Sequence, residues 1–124
     1  MKKRLLITLA MLCLSQAYGF HTRTNLHVIR LKMNRIQRRI SRQKQSLREI
    51  EQFQLKSLNA AGVDSIEERL WAFDILSGDL IYARFVWNEI KSSDKQNQSA
   101  INALGRSVDS LSAVVEDLAI TPLF

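Results

Sequence analysis

Between Leu26 and Leu58 the residues Leu26, Ile29, Met33, Ile36, Ile40, Leu47 and Ile50 recur at alternating spacings of three and four, and only Gln43 breaks the row. Residues so spaced share one side of an α-helix, so a row held for more than three heptads predicts a long amphipathic helix of the coiled-coil or bundle kind. At 1.5 Å per residue it spans roughly 50 Å.

The other faces of this helix carry a one-sided charge. Residues 21–48 contain nine Lys or Arg (Arg23, Arg30, Lys32, Arg35, Arg38, Arg39, Arg42, Lys44 and Arg48) and no acid. Residues 49–124 contain six Lys or Arg against twelve Asp or Glu, so the chain is basic in its first part and acidic in the rest. A parallel copy of the first helix would set Arg39 against Lys44, which is repulsive. This helix calls for an acidic neighbour.

Ahead of the helix, Met1-Lys2-Lys3-Arg4 is a basic start and Leu5 to Leu14 an apolar run broken by Thr8. Ser15-Gln16-Ala17 then offers the small residues that signal peptidase needs, so residues 1–19 read as a cleaved signal peptide and the mature protein as periplasmic or secreted. A retained N-terminal anchor is the alternative, although the run is short for a membrane span. Leu12 directly before Cys13 argues against a lipidation site. Cys13, the only cysteine, leaves with the signal, so the mature chain is stabilised by packing without disulfides.

The remaining chain, 20–124, reads as one helical domain with helices at about 24–61, 65–91 and 94–120. Thr22 or Thr24 is expected to cap the first. Gly62 is expected at C′ of a Schellman ending, with Val63 packing back on Leu58, and Asp64 with Glu67 is expected to open the second as a capping box. Helices joined so tightly fold back on each other. The second is apolar over most of its circumference, from Trp71 and Phe73 through Ile81, Tyr82, Phe85 and Trp87 to Ile90, which predicts burial between two neighbours. Ser77-Gly78 is a candidate kink.

Ser93 and Gln96 form a further possible capping box, and Pro122 stops the third helix. Its seam is Ile101, Leu104, Val108, Leu111, Val115 and Leu118. A rival reading joins the second and third helices into one rod, because Phe73, Leu76, Leu80, Ala83, Trp87 and Ile90 keep the same heptad frame. The fold class expected is all-α: a long antiparallel helical hairpin extended to a three-helix bundle with coiled-coil-like seams.

Lys32, Arg35, Arg39 and Arg42 form one basic stripe along roughly 15 Å of helix. It suits an acidic protein face or an anionic envelope surface, or simply faces the protein's own acidic half. Nucleic acid fits poorly, since no aromatic residue interleaves the stripe. Asp79 lies within the apolar face of the second helix. It needs either a cation, for which Lys44 to Arg48 are in register, or a role as cap of a new segment after Gly78. His21 and His27 are six apart, which is wrong for a metal pair on a helix, and no phosphate loop or catalytic constellation is visible. No cofactor or metal is implied. The sequence reads as an exported, non-enzymatic interaction or structural subunit of a cell-envelope assembly, such as a secretion, pilus or conjugation accessory. The alternative is a periplasmic binding module or chaperone holding anionic lipid or client proteins. N-terminal sequencing of the protein from an envelope fraction should find Tyr18 or Phe20; an intact Met1 would instead favour the anchor.

Overall fold

The structure, a computed structural model, describes residues 25–57, 59–94 and 97–123. The expected signal peptide and the candidate caps Thr22 and Thr24 lie outside these residues. Three helices, α1 (Leu26–Lys56), α2 (Ala60–Ser92) and α3 (Gln98–Ile120), pack against each other, and no strand occurs among the described residues.

In α1 the seam residues Ile29, Met33, Ile36, Ile40 and Leu47 are buried, as their spacing predicts. Ile50, the next in the row, is 38% exposed, and Phe53 beyond it is 66% exposed, so the covered part of the seam ends at Leu47. Asn25 starts the helix, its Oδ1 accepting the Val28 N–H at 2.8 Å.

The turn into α2 comes earlier than Gly62. α1 closes at Ser57, whose N–H donates to the Phe53 carbonyl at 3.1 Å. Asn59 then caps α2, its Oδ1 accepting the Gly62 N–H at 3.1 Å while its Nδ2 donates to Gln54 Oε1 at 2.7 Å. Gly62 is therefore a buried first-turn residue of α2 and not a C′ residue, and Asp64 and Glu67 lie inside the helix. A capping amide at Asn59 supplies the acceptor that first-turn N–H groups require, which moves the start of α2 ahead of the glycine. A side chain at Gly62 would press on this clasp, since a Cβ there would stand 2.8 Å from Gln54 Oε1 and 2.9 Å from Asn59 Nδ2.

α2 runs through Ser77 and Gly78 as one helix, with the Ser77 hydroxyl donating to the Phe73 carbonyl at 3.0 Å. It ends at Ser92, and α3 opens at Asn97, whose Oδ1 accepts the Ser99 N–H at 2.9 Å. The rod does not form: α2 and α3 are separate helices, packed on one another. Asn97 takes the capping role expected of Ser93, and Gln96 lies outside the described residues.

Contacts fix the directions of the helices. Trp87 Nε1 donates to the Leu26 carbonyl at 2.7 Å, Arg84 Nη2 to Asn34 Oδ1 at 3.0 Å, and Lys44 Nζ sits 2.5 Å from Asp74. Residue numbers thus fall along α2 as they rise along α1, so these helices run in opposite directions. Arg69 of α2 donates to the Thr121 and Pro122 carbonyls just past α3, satisfying acceptors at that helix end. The core is one buried cluster to which Ile66, Phe73 and Leu76 of α2, Ile29 and Met33 of α1 and Val108, Leu111 and Val115 of α3 all belong, each nearly inaccessible to solvent. Replacing Asn59 with Ala removes the cap and the Gln54 clasp together. A loss of about 1 kcal/mol is expected, read as a fall in melting temperature of roughly 4–8 °C.

Candidate functional site

Helical spacing puts Lys32, Arg35, Arg39 and Arg42 on one side of α1, but the structure divides them. Lys32 Nζ lies 2.8 Å from Asp109 Oδ1. Arg39 binds Glu116 with both arms of its guanidinium, Nε to Oε1 at 2.8 Å and Nη2 to Oε2 at 3.3 Å. The pairs stand one heptad apart on both helices, so α1 and α3 run in the same direction with a fixed register. Arg35 and Arg42 are exposed and form no ion pair among the described residues, and the same holds for Arg38 and Arg48. Part of the acidic neighbour that α1 calls for is thus the protein's own α3, and part of the row is left facing out. Ion pairs this exposed contribute on the order of 1 kcal/mol or less each, and they set register more than stability.

Arg38 and Arg42 line an open depression along α1 together with Asn34, Gln37 and Ser41. Arg84 of α2 reaches its edge, with Nη2 donating to Asn34 Oδ1 at 3.0 Å and Gln37 Oε1 at 2.5 Å. Both amide oxygens are engaged by Arg84, which leaves their NH₂ groups as further donors beside two guanidinium groups and a hydroxyl. The arrangement suits an anion with several acceptor oxygens.

The structure adds residues that spacing alone did not single out. Ile81, Tyr82 and Phe85 of α2 are 69%, 70% and 59% exposed, although α2 has neighbours on two sides. Reasoning from an all-round apolar helix assigns them to the core. The two neighbouring helices cover only part of α2, and the outward arc keeps its apolar side chains. Arg84 falls within the same turn, and its bonds to Asn34 and Gln37 bring this turn of α2 alongside the Asn34–Arg38 turn of α1. Phe85, about 100° around the helix from Arg84, is thereby an exposed aromatic residue on the turn of α2 that Arg84 ties to α1.

Asp79 meets neither expectation. It lies within α2, so it caps no new segment. Lys44 pairs with Asp74, and Arg48 is exposed. The reason is helical phase: five residues turn the helix by about 140° beyond a full turn, so if Asp74 faces α1, Asp79 faces away from it. Its Oδ2 is buried and accepts no hydrogen bond among the described residues. Desolvation by burial raises its pKa above the ordinary carboxylate value. His27 Nδ1 lies 3.2 Å from Arg30 Nη2, and His21 lies outside the described residues. Among the described residues no cluster of His, Cys, Asp or Glu is arranged to hold a metal ion, and no helix is long and apolar enough to cross a membrane.

Comparison of the chain with protein-family models, curated proteins and solved structures finds no match.

The raised pKa of Asp79 gives stability a definite pH dependence. Below the unfolded-state pKa of about 3.9 the carboxyl is neutral in both states and costs nothing. As pH rises through the window up to the folded-state pKa, the unfolded chain ionises first and stability is lost. Asp79→Asn should therefore raise stability at pH 7 by on the order of 1 kcal/mol, and its advantage should shrink towards pH 4. Thermal melting of both proteins at the two pH values checks this; an equal advantage at both would place its origin elsewhere.

Proposed function

We propose that this protein is an exported, non-enzymatic helical subunit of a cell-envelope assembly that docks on an anionic partner through the outward arginines of α1. In this reading the chain is a long antiparallel hairpin with coiled-coil-like seams, to which α3 adds the internal acidic partner. The observation that carries it is the division of the basic row. Lys32 and Arg39 are held by Asp109 and Glu116, whereas Arg35, Arg38 and Arg42 are exposed and unpaired among the described residues. Three like charges within two turns repel one another, and the folded chain gains nothing from them that neutral helix formers would not supply. A partner that neutralises them gives the placement a use, and their field also speeds encounter with an acidic surface.

Two variants separate inward from outward cations. Arg35→Gln/Arg38→Gln/Arg42→Gln should leave stability within about 0.5 kcal/mol of the parent. It should lower retention on washed envelopes and flatten the salt dependence of that retention. Lys32→Gln/Arg39→Gln should lower stability by up to about 1 kcal/mol per lost pair and spare retention. Retention of the triple variant equal to that of the parent at every salt concentration would end the proposal.

A further inference from the structure

Resting on the reading of α1 as an anion-facing surface, we infer that its partner is an anionic phospholipid surface, contacted jointly by the donor-lined depression of α1 and the apolar strip Ile81–Tyr82–Phe85 of α2. Two observations meet here. The depression offers Arg38, Arg42, Ser41 and the amides of Asn34 and Gln37, the donor set that a phosphodiester headgroup takes up. On the turn of α2 that Arg84 ties to its edge, three large apolar side chains stand well out into solvent. Arg84 joins the two, because its bonds to Asn34 and Gln37 hold the Ile81–Phe85 turn against the Asn34–Arg38 turn.

Shape and chemistry favour a lipid surface over an acidic protein. The apolar strip is the outer arc of a helix and therefore convex. One turn before Tyr82, Gly78 adds no side chain to cover it, and a Cβ there would meet nothing within 4 Å. A partner helix seats best in an apolar groove, whereas a bilayer interface accepts protruding apolar side chains between its headgroups. Tyr82, with an apolar ring and a polar hydroxyl, is suited to headgroup depth. The cations lie alongside the apolar residues and not among them, so apolar groups can enter the interface while guanidinium groups stay with the phosphates. Lys91, exposed and 5.1 Å from the Trp87 ring centroid, adds a cation further along α2.

The test uses the full chain and vesicles of phosphatidylglycerol or of phosphatidylcholine, with sedimentation as the readout. Parent protein should bind the anionic vesicles at least tenfold more tightly than the neutral ones, and salt should weaken that binding. Ile81→Ser/Phe85→Ser should weaken anionic binding by about tenfold or more with no fall in melting temperature, since both side chains are mostly exposed. As a check independent of that variant's folding, Phe85→Trp should gain fluorescence quenching over the parent with acyl-brominated phosphatidylglycerol. The inference is overturned if the serine variant binds like the parent and the new tryptophan is not quenched. If the arginine-to-glutamine triple variant still loses binding in that case, the anion-facing reading stands and only the lipid-inserted strip falls. If neither variant changes binding, both fall. An acidic protein held through the arginines, with no binding to anionic vesicles, would likewise overturn the lipid assignment and leave the docking subunit in place.

Discussion

Burial of one arc of α2 between the seams of α1 and α3 is the interaction on which the rest of this molecule depends. Phe73, Leu76 and Leu80 carry it, in one buried cluster with Met33, Ile36 and Ile40 of α1 and Val108 and Leu111 of α3. Each large apolar side chain removed from water stabilises the fold by roughly 1.5–3 kcal/mol, far more than any exposed ion pair contributes. Cys13 lies outside the described residues, so no disulfide shares this task within the bundle. A core of this kind fixes which arcs of the helices face inward. The positions of all other groups follow from that phase.

The polar contacts read as consequences of the phase, with Asn59 as the point where local chemistry intervenes. Once α1 and α3 lie side by side in the same direction, Lys32 and Arg39 stand opposite Asp109 and Glu116 one heptad apart, and the pairs reinforce a register the core already prefers. The same phase sends Asp74 to Lys44 and turns Asp79 away from every cation of α1. Asp79 thereby becomes a half-buried carboxylate with one buried oxygen that has no partner among the described residues, a local cost that the core tolerates. Asn59 acts differently. Its cap sets where α2 begins and brings Gly62 into the first turn, close to Gln54 at the end of α1.

Three helices of this size cannot enclose a helix that is apolar nearly all round. The arc left over, Ile81, Tyr82 and Phe85, belongs to the turn of α2 from which Arg84 reaches across to α1. Exposed apolar side chains of α2 and arginines of α1 that form no ion pair among the described residues thus flank the Arg84 bridge.

What the sequence determined by itself was the helical class and the seams: the three–four spacing through Ile29, Met33, Ile36 and Ile40, and again through Ile101, Leu104, Val108 and Leu111, is periodicity that only one face of a helix satisfies. The placement of a break after the second helix was legible too, although its cap proved to be Asn97. The turn at Asn59 was not, because Asn and Gly both serve helix ends, and the hydrogen bonds of Asn59 to Gly62 and Gln54 decide between them. Tertiary structure alone decided the rest. A sequence lists charges along a helix but not which of them meets a partner, since that depends on the phase and direction of a second helix. So Lys32 and Arg39 separate from Arg35 and Arg42 only when α3 is in place, Asp79 loses its expected cation only when Asp74 takes Lys44, and Ile81, Tyr82 and Phe85 are left exposed only when packing chooses which arc of α2 to leave uncovered.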